Sequence, residues 1–142
     1  MVAYSFKKQF GPPILAGTKA QTIRAHRKRH ARPGEMVQLF TGMRTRQCRR
    51  LGESRCVEVL PVRLVFTDRG IPEAFQVNGA PIGPRAMALF AVADGFADLN
   101  DMRRFWWAEH PPAEGDTLVF EGVLIRWQAL VPADALDIAG AA

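Results

Sequence analysis

The chain opens with short runs in which apolar and polar residues alternate, each bounded by Gly or Pro. In the first run Val2, Tyr4 and Phe6 share one face, as in a strand with one buried side. Alternation of this kind, together with longer apolar runs, predicts about six strands among seven candidate segments. These segments are Val2–Phe10, Ala20–Ala25, Glu35–Thr41, Arg55–Thr67, Ile71–Val77, Thr117–Phe120 and Val123–Leu130.

Two or three short helices are predicted between these strands, each with local start or stop signals. They are a single turn at Pro13–Ala16 closed by Gly17, a helix at Pro84–Ala93 broken by Asp94-Gly95, and a helix capped by Asp98 or Asn100 that runs to about His110. Asn78-Gly79 is a turn signal. We expect a charged loop at His26–Arg32 and a loop or frayed hairpin at Thr41–Gly52.

This order of elements predicts an α+β fold. Strands joined by short turns argue against a doubly wound parallel sheet. They favour a small, mostly antiparallel β-barrel with short capping helices. The 142 residues fit one domain, which we place at residues 1–131, with a flexible tail at 132–142.

Composition limits the class of protein. Hydrophobic residues make up 48 % of the chain, enough for an ordinary core. No apolar run approaches the roughly 18 residues of a membrane-spanning helix, and the start does not look like a secretion signal, so we expect a cytoplasmic protein without a membrane partner. Cys48 and Cys56 are interpreted as ordinary thiols rather than a disulfide or half a zinc site. Neither a metal nor a cofactor is expected, because zinc signatures and Gly-rich phosphate loops are absent.

Charge is divided unevenly along the chain. Residues 1–63 carry 14 Lys or Arg and 3 Asp or Glu, a net +11, whereas residues 64–142 carry 5 and 11, a net −6. A segregated positive half is typical of a protein with a polyanionic partner, most often nucleic acid. A solvated basic surface without a ligand is the alternative.

Lys19 and Thr22 are the first candidates for chemistry. A bend after Lys19 would let its amine meet the Thr22 hydroxyl, so that a desolvated lysine could act as a base and the threonine as a nucleophile. Asp94, at a sharp backbone break before Gly95, is the candidate carboxylate. By spacing alone, a surface lysine beside a strand threonine, and a carboxylate that caps a turn or helix, are the commoner explanations of these residues.

A dense basic segment follows Thr22 in the chain. It contains five cations that could bind phosphates, Arg24, Arg27, Lys28, Arg29 and Arg32. A second group, Arg44, Arg46, Arg49 and Arg50, could widen that surface. Among the three tryptophans, we expect Trp107 to be partly exposed and available for stacking on a base.

Several of these motifs together resemble the ASCH-domain family. Lys19-Ala20-Gln21-Thr22-Ile23-Arg24, preceded by Gly17, is similar to the family's Gly-x-Lys-x-x-Thr-x-Arg signature. Pro33-Gly34-Glu35 and the strand after it resemble a second conserved step of the family. Ala93-Asp94-Gly95-Phe96, followed by Phe105-Trp106, resembles its Glu-Gly-Phe motif and aromatic helix. Their order covers nearly the whole predicted domain.

The resemblance implies a PUA-like β-barrel that binds RNA or a nucleotide-like or nucleoside-like ligand in a basic cleft. It also implies an alternative, because some small family members are amidohydrolases that deacylate N4-acetylcytidine with a Lys, a Thr and a Glu. These roles correspond to Lys19, Thr22 and Asp94, the last being one methylene shorter than the family's Glu. Other members resemble ribonucleases, and a protein-interaction module that uses the tryptophans is a further alternative.

Overall fold

The architecture is an α+β fold, described for residues 1–131 by a computed structural model. It contains seven strands and three helices. In chain order these are β1 (Val2–Phe6), α1 (Gly11–Ala16), β2 (Gln21–Arg24), β3 (Met36–Thr41), β4 (Arg49–Thr67), β5 (Gln76–Val77), β6 (Ala80–Pro81), α2 (Pro84–Ala93), α3 (Leu99–Glu109) and β7 (Thr117–Trp127). A 3₁₀ turn, Lys8–Phe10, links β1 to α1. The predicted tail, 132–142, lies outside the described residues.

The strands form a mixed sheet. β1 pairs with β3 in parallel, and antiparallel pairs join β3 to β4, β4 to β5 and β5 to β6. β7 pairs with β2 and β4. The predicted closed barrel is wrong, because over residues 1–131 the strands β1, β2 and β6 each pair with a single neighbour. One of these open edges has a simple cause, since Pro81 in the two-residue β6 has no N–H to donate to a further strand.

Contacts along the chain divide it into two compact units. Within the described residues, the first unit contains residues 1–22, 28–59 and 125–131, and the second unit contains residues 23–27 and 60–124. Within residues 1–131, the first unit carries twelve Lys or Arg and three Glu, a net charge of +9. The second unit carries seven Lys or Arg and nine Asp or Glu, a net charge of −2. The positive charge is therefore concentrated in the first unit.

β1 and β3 supply much of the core of the first unit. Their parallel register aligns Val2 with Val37 and Tyr4 with Leu39, and all four side chains are buried. The Tyr4 hydroxyl accepts a hydrogen bond from the backbone N–H of Ala31 at 3.1 Å. This bond fixes the end of the basic segment to the first strand.

An aromatic cluster forms the core of the second unit. Phe66 stacks on Trp106 with ring centroids 5.9 Å apart and meets Phe75 edge-on at 5.5 Å. Phe75 in turn contacts Phe90 of α2 at 5.9 Å. Helices α2 and α3 therefore pack onto this unit through large apolar side chains, each of which contributes roughly 1.5–3 kcal/mol on burial.

Local signals located the helices well. α2 has the predicted bounds, and α3 begins after Asp98, whose carboxylate accepts the N–H of Asp101 at 2.7 Å. Asn78 and Gly79, at φ +55° and +80°, form the predicted hairpin turn between β5 and β6.

Strand boundaries were predicted less well. β1 ends at Phe6, because the chain then enters the 3₁₀ turn. β4 begins at Arg49, which leaves only 42–48 as the loop, and the strand expected at Ile71–Val77 shortens to two residues. The two strands expected around Gly122 are one strand, β7. A Cβ at Gly122 would lie 2.3 Å from the Arg24 carbonyl oxygen, so this glycine permits a close backbone approach rather than a turn.

Candidate functional site

Lys19 is almost completely buried, with 2 % of its surface exposed. The turn that ends α1 positions it, because the backbone N–H groups of Thr18 and Lys19 both donate to the Pro13 carbonyl at 3.0 Å. The Lys19 ammonium lies 4.8 Å from the centroid of the Phe10 ring and 5.6 Å from that of Phe6. A cation over desolvated aromatic rings gains about 2 kcal/mol, and a lysine is seldom buried unless such interactions hold it.

Gln21 and Thr22 lie beside Lys19 in the sequence and are buried as well. Gln21 is 3 % exposed and Thr22 5 % exposed, although neighbouring residues of a strand point to opposite faces. Both faces of β2 are therefore covered at this point. We call Lys19, Gln21 and Thr22 the buried polar cluster. Gln21 was not among the predicted site residues, and the available signal was its position between Lys19 and Thr22, which were.

Trp127 adjoins this cluster within the first unit. Its backbone N–H donates to the Ala20 carbonyl at 3.0 Å, and its ring meets Phe6 edge-on at 5.9 Å. The indole Nε1 is buried and has no hydrogen-bond partner among residues 1–131. Phe6 thus contacts both Lys19 and Trp127 and connects these two side chains.

Asp94 belongs to the second unit and is 5 % exposed. It directly follows α2, and backbone hydrogen bonds cap the end of that helix. Gly95, at φ +100°, donates its N–H to the Val92 carbonyl at 3.0 Å, and Phe96 donates to the Ala91 carbonyl at 3.1 Å. These two bonds form a Schellman motif. The Asp94 carboxylate is therefore not required to cap the helix.

The basic segment is partly neutralised by Glu35. The Glu35 carboxylate pairs with the Arg29 guanidinium and accepts the backbone N–H of Arg32 at 3.1 Å. The hydrogen bond from Arg32, supported by the charge of Arg29, lowers the pKa of Glu35. The side chains of Arg27, Lys28 and Arg32 are exposed, whereas Arg24 is half-buried.

The tryptophans differ in exposure. Trp106 is buried between Phe66, at 5.9 Å, and Phe120, at 4.7 Å. Trp127 is also buried, whereas Trp107 on the next position of α3 is only half-buried. Trp107 is therefore the most accessible of the three for stacking, as the sequence predicted.

No family model, no curated protein and no solved structure matches the chain. Within the described residues, no helix is long and apolar enough to cross a membrane. The same part of the chain contains no group of three or more His, Cys, Asp or Glu arranged to hold a metal ion.

Proposed function

We propose that this chain is an ASCH-type domain that binds RNA or a nucleoside-like ligand through the buried polar cluster. One observation supports this most directly, the burial of Lys19, Gln21 and Thr22 within four consecutive residues. Removing an ammonium, an amide and a hydroxyl from water costs free energy that apolar residues would not incur. This concentration of buried polar groups supports the proposal that the segment recognises a ligand.

The three side chains carry groups that can bind a nucleobase, with Gln21 on one face of β2 and Thr22 on the other. The Gln21 amide offers both a donor and an acceptor, as the Watson–Crick edges of unstacked bases do. The Thr22 hydroxyl can donate or accept, and the Lys19 ammonium donates to carbonyl or anionic oxygens. In a site of low polarity, hydrogen bonds from a charged donor contribute more than those of neutral pairs.

The charge of the first unit supports an anionic ligand. Its net +9 raises the local concentration of polyanions around the unit. In this proposal the exposed cations of the basic segment attract RNA, and the buried polar cluster recognises a base. Arg24 and Trp107 keep their predicted roles in phosphate contact and base stacking.

Equilibrium binding of cytidine and of a labelled single-stranded RNA tests the proposal. Lys19→Met keeps the length of the side chain and removes its charge, and Arg85→Met is a charge-removing control at an exposed residue of the second unit. Loss of a hydrogen bond from a charged group costs about 1.5–3 kcal/mol, so the Lys19 variant should bind cytidine at least about tenfold more weakly. Unchanged cytidine binding by a folded Lys19→Met protein contradicts the proposal.

A second candidate is hydrolysis of N4-acylated cytidine, favoured by the burial of Lys19 together with Thr22. Desolvation favours the neutral amine of a lysine, which can then accept a proton. In this reaction the Thr22 hydroxyl attacks the acyl carbonyl while Lys19 takes the hydroxyl proton. The C–N bond breaks, the amino group of cytidine leaves with a proton, and water then hydrolyses the threonine ester to acetate.

Incubation with N4-acetylcytidine tests this reaction, with cytidine and acetate as the products to be measured. Lys19→Ala and Thr22→Val should each abolish turnover, and Thr117→Val is a control at an exposed threonine. Asp94→Asn tests the role that the family resemblance gives to the carboxylate, and Asp94→Glu tests whether the longer side chain improves the rate. Turnover by Lys19→Ala equal to that of the native protein excludes this mechanism.

A further inference from the structure

In addition to the basic segment, the first unit has a groove with cations on its rim, between the 3₁₀ turn and the loop 42–48. The groove has a volume of about 860 Å³. Its buried members are Phe6, Gly11 and Thr41, which form a floor, and its exposed rim includes Lys7, Lys8, Thr45, Gln47 and Arg49. We call it the Lys8–Arg49 groove. None of the described residues that line it is acidic.

The carboxylates of the first unit are already paired elsewhere. Within residues 1–131 this unit has three acidic side chains, Glu35, Glu53 and Glu58. Glu35 pairs with Arg29, Glu53 with Arg50 at 2.5 Å, and Glu58 with Arg126 at 2.6 Å. Lys8 and Arg49 have no carboxylate of the described chain within ion-pair distance. The groove therefore keeps its positive charge.

The loop on one side of the groove is held in place by hydrogen bonds. The Thr45 hydroxyl donates to the Gly42 carbonyl at 2.5 Å and accepts the N–H of Gln47 at 3.2 Å. The N–H of Met43 donates to the Ser5 hydroxyl at 3.1 Å, which fixes the loop to the end of β1. The cations on this loop are thus presented by an ordered backbone.

One loop residue adopts a conformation that its side chain does not favour. Arg44 has φ +69°, in the left-handed region where glycine or asparagine is more stable. Its side chain is exposed and has no packing role that would compensate for the strain. Arg44 lies in the loop beside the groove but is not among the residues that line it, so its charge acts on the groove only from a distance.

We propose that the Lys8–Arg49 groove binds the phosphodiester backbone of single-stranded RNA. Phosphates are the natural partners of cations without counter-charges, because Lys supplies a point charge and Arg a two-pronged donor. The size of the groove is that of a nucleotide site, within the range of about 300–1,000 Å³ typical of small-ligand sites. The apolar floor is consistent with contact to sugar or base.

Salt-dependent binding of a labelled oligouridylate tests this inference. The double variant Lys8→Gln with Arg49→Gln should lower the slope of log K against log salt by about 1.4, since each phosphate contact to a single strand contributes about 0.7. The control is Arg85→Gln with Arg104→Gln, the same charge change at exposed residues of the second unit. An unchanged slope in the groove variant, or an equal fall in the control, overturns the inference.

Two further arms identify the ligand and the role of the loop. Inorganic triphosphate should compete with the oligouridylate only weakly, and competition at equal concentration overturns the assignment to RNA. Arg44→Gly should leave Tm unchanged or higher, because glycine relieves the backbone strain, and it should lower the salt slope less than the groove variant does. A fall in the slope for Arg44→Gly as large as that for the groove variant would assign the phosphate contacts to the loop and overturn the inference.

The same measurements separate this inference from the proposed function. Lys19→Met is expected to weaken cytidine binding at least about tenfold and to leave the salt slope for oligouridylate intact. The groove variant is expected to do the reverse. A lower salt slope in the groove variant, with no effect of Lys19→Met on cytidine binding, supports the groove. The same result refutes the proposed role of the buried polar cluster.

Discussion

The two units of this protein bury different kinds of side chain. The first unit buries a lysine, a glutamine and a threonine in four consecutive residues, and its surface is strongly positive. The second unit buries a cluster of phenylalanines around Trp106, and its net charge is slightly negative. Burial of apolar rings lowers the free energy of the fold, whereas burial of a polar side chain has a desolvation cost that its interactions must offset. The second unit also buries one charged side chain, Asp94. The proposed function assigns ligand binding to the first unit, and the predictions below test how far the two units differ.

The largest expected effect is in the aromatic core of the second unit. Phe66→Ala removes a ring that contacts both Phe75 and Trp106, and such truncations cost about 3–5 kcal/mol. Urea unfolding of this variant should show a correspondingly lower free energy of unfolding. Val119→Ala, at an exposed position of β7 in the same unit, is the control, and an equal loss in both variants would show that the buried aromatic core is not what stabilises the second unit.

The next largest effect is expected at two glycines, one in each unit, because another backbone segment lies close to each of them. A Cβ at Gly17 would lie 2.5 Å from the Leu130 carbonyl oxygen, and one at Gly122 would lie 2.3 Å from that of Arg24. Overpacking costs about 1–3 kcal/mol, and Gly17→Ala adds the strain of φ +81°. Gly79→Ala, with open space around it but φ +80°, isolates the strain alone. Thermal unfolding should rank Gly79→Ala as the mildest of the three.

Tyr4→Phe should have a smaller effect, confined to the first unit. It leaves the buried N–H of Ala31 without its acceptor, which costs about 1–3 kcal/mol. Hydrogen exchange should show faster exchange at Ala31, while the amides of the α2 helix are unchanged. Unaltered exchange at Ala31 would show that the basic segment is held by other contacts.

The smallest effect is the pH dependence contributed by Glu35. Its folded pKa is below the ordinary value of 4.5, so its contribution to stability is complete above about pH 4.5 and is lost as pH falls through the folded pKa. Glu35→Gln should flatten the acid side of the stability curve over that range. Equal pH profiles for both proteins would exclude Glu35 as the group that fixes the basic segment at neutral pH.

Sequence alone predicted the elements that depend on local chemistry. Pro84 at the start of α2, Asp98 before α3 and the Asn78-Gly79 turn are signals carried by one or two residues. The open sheet, the continuity of β7 through Gly122 and the short β5 depend on pairing between distant segments. Periodicity within one segment does not contain that information.

The candidate site was predicted in part. The sequence singled out Lys19 and Thr22, and the structure shows both buried together with Gln21. Burial of a lysine is not a sequence property, because it depends on Phe6 and Phe10 being brought to its ammonium by β1 and the 3₁₀ turn. The roles of Arg27, Lys28 and Arg32 in binding RNA, and of Asp94 in catalysis, stay predictions.

The backbone cap of α2 has a consequence for how this protein could diversify. Gly95 and Phe96 end the helix through main-chain bonds, so the end of α2 does not depend on the Asp94 side chain. An exchange of carboxylate for amide at position 94, two groups of similar size, is therefore expected to leave the end of α2 intact. The chemistry at this position can change while the helix that carries it stays the same.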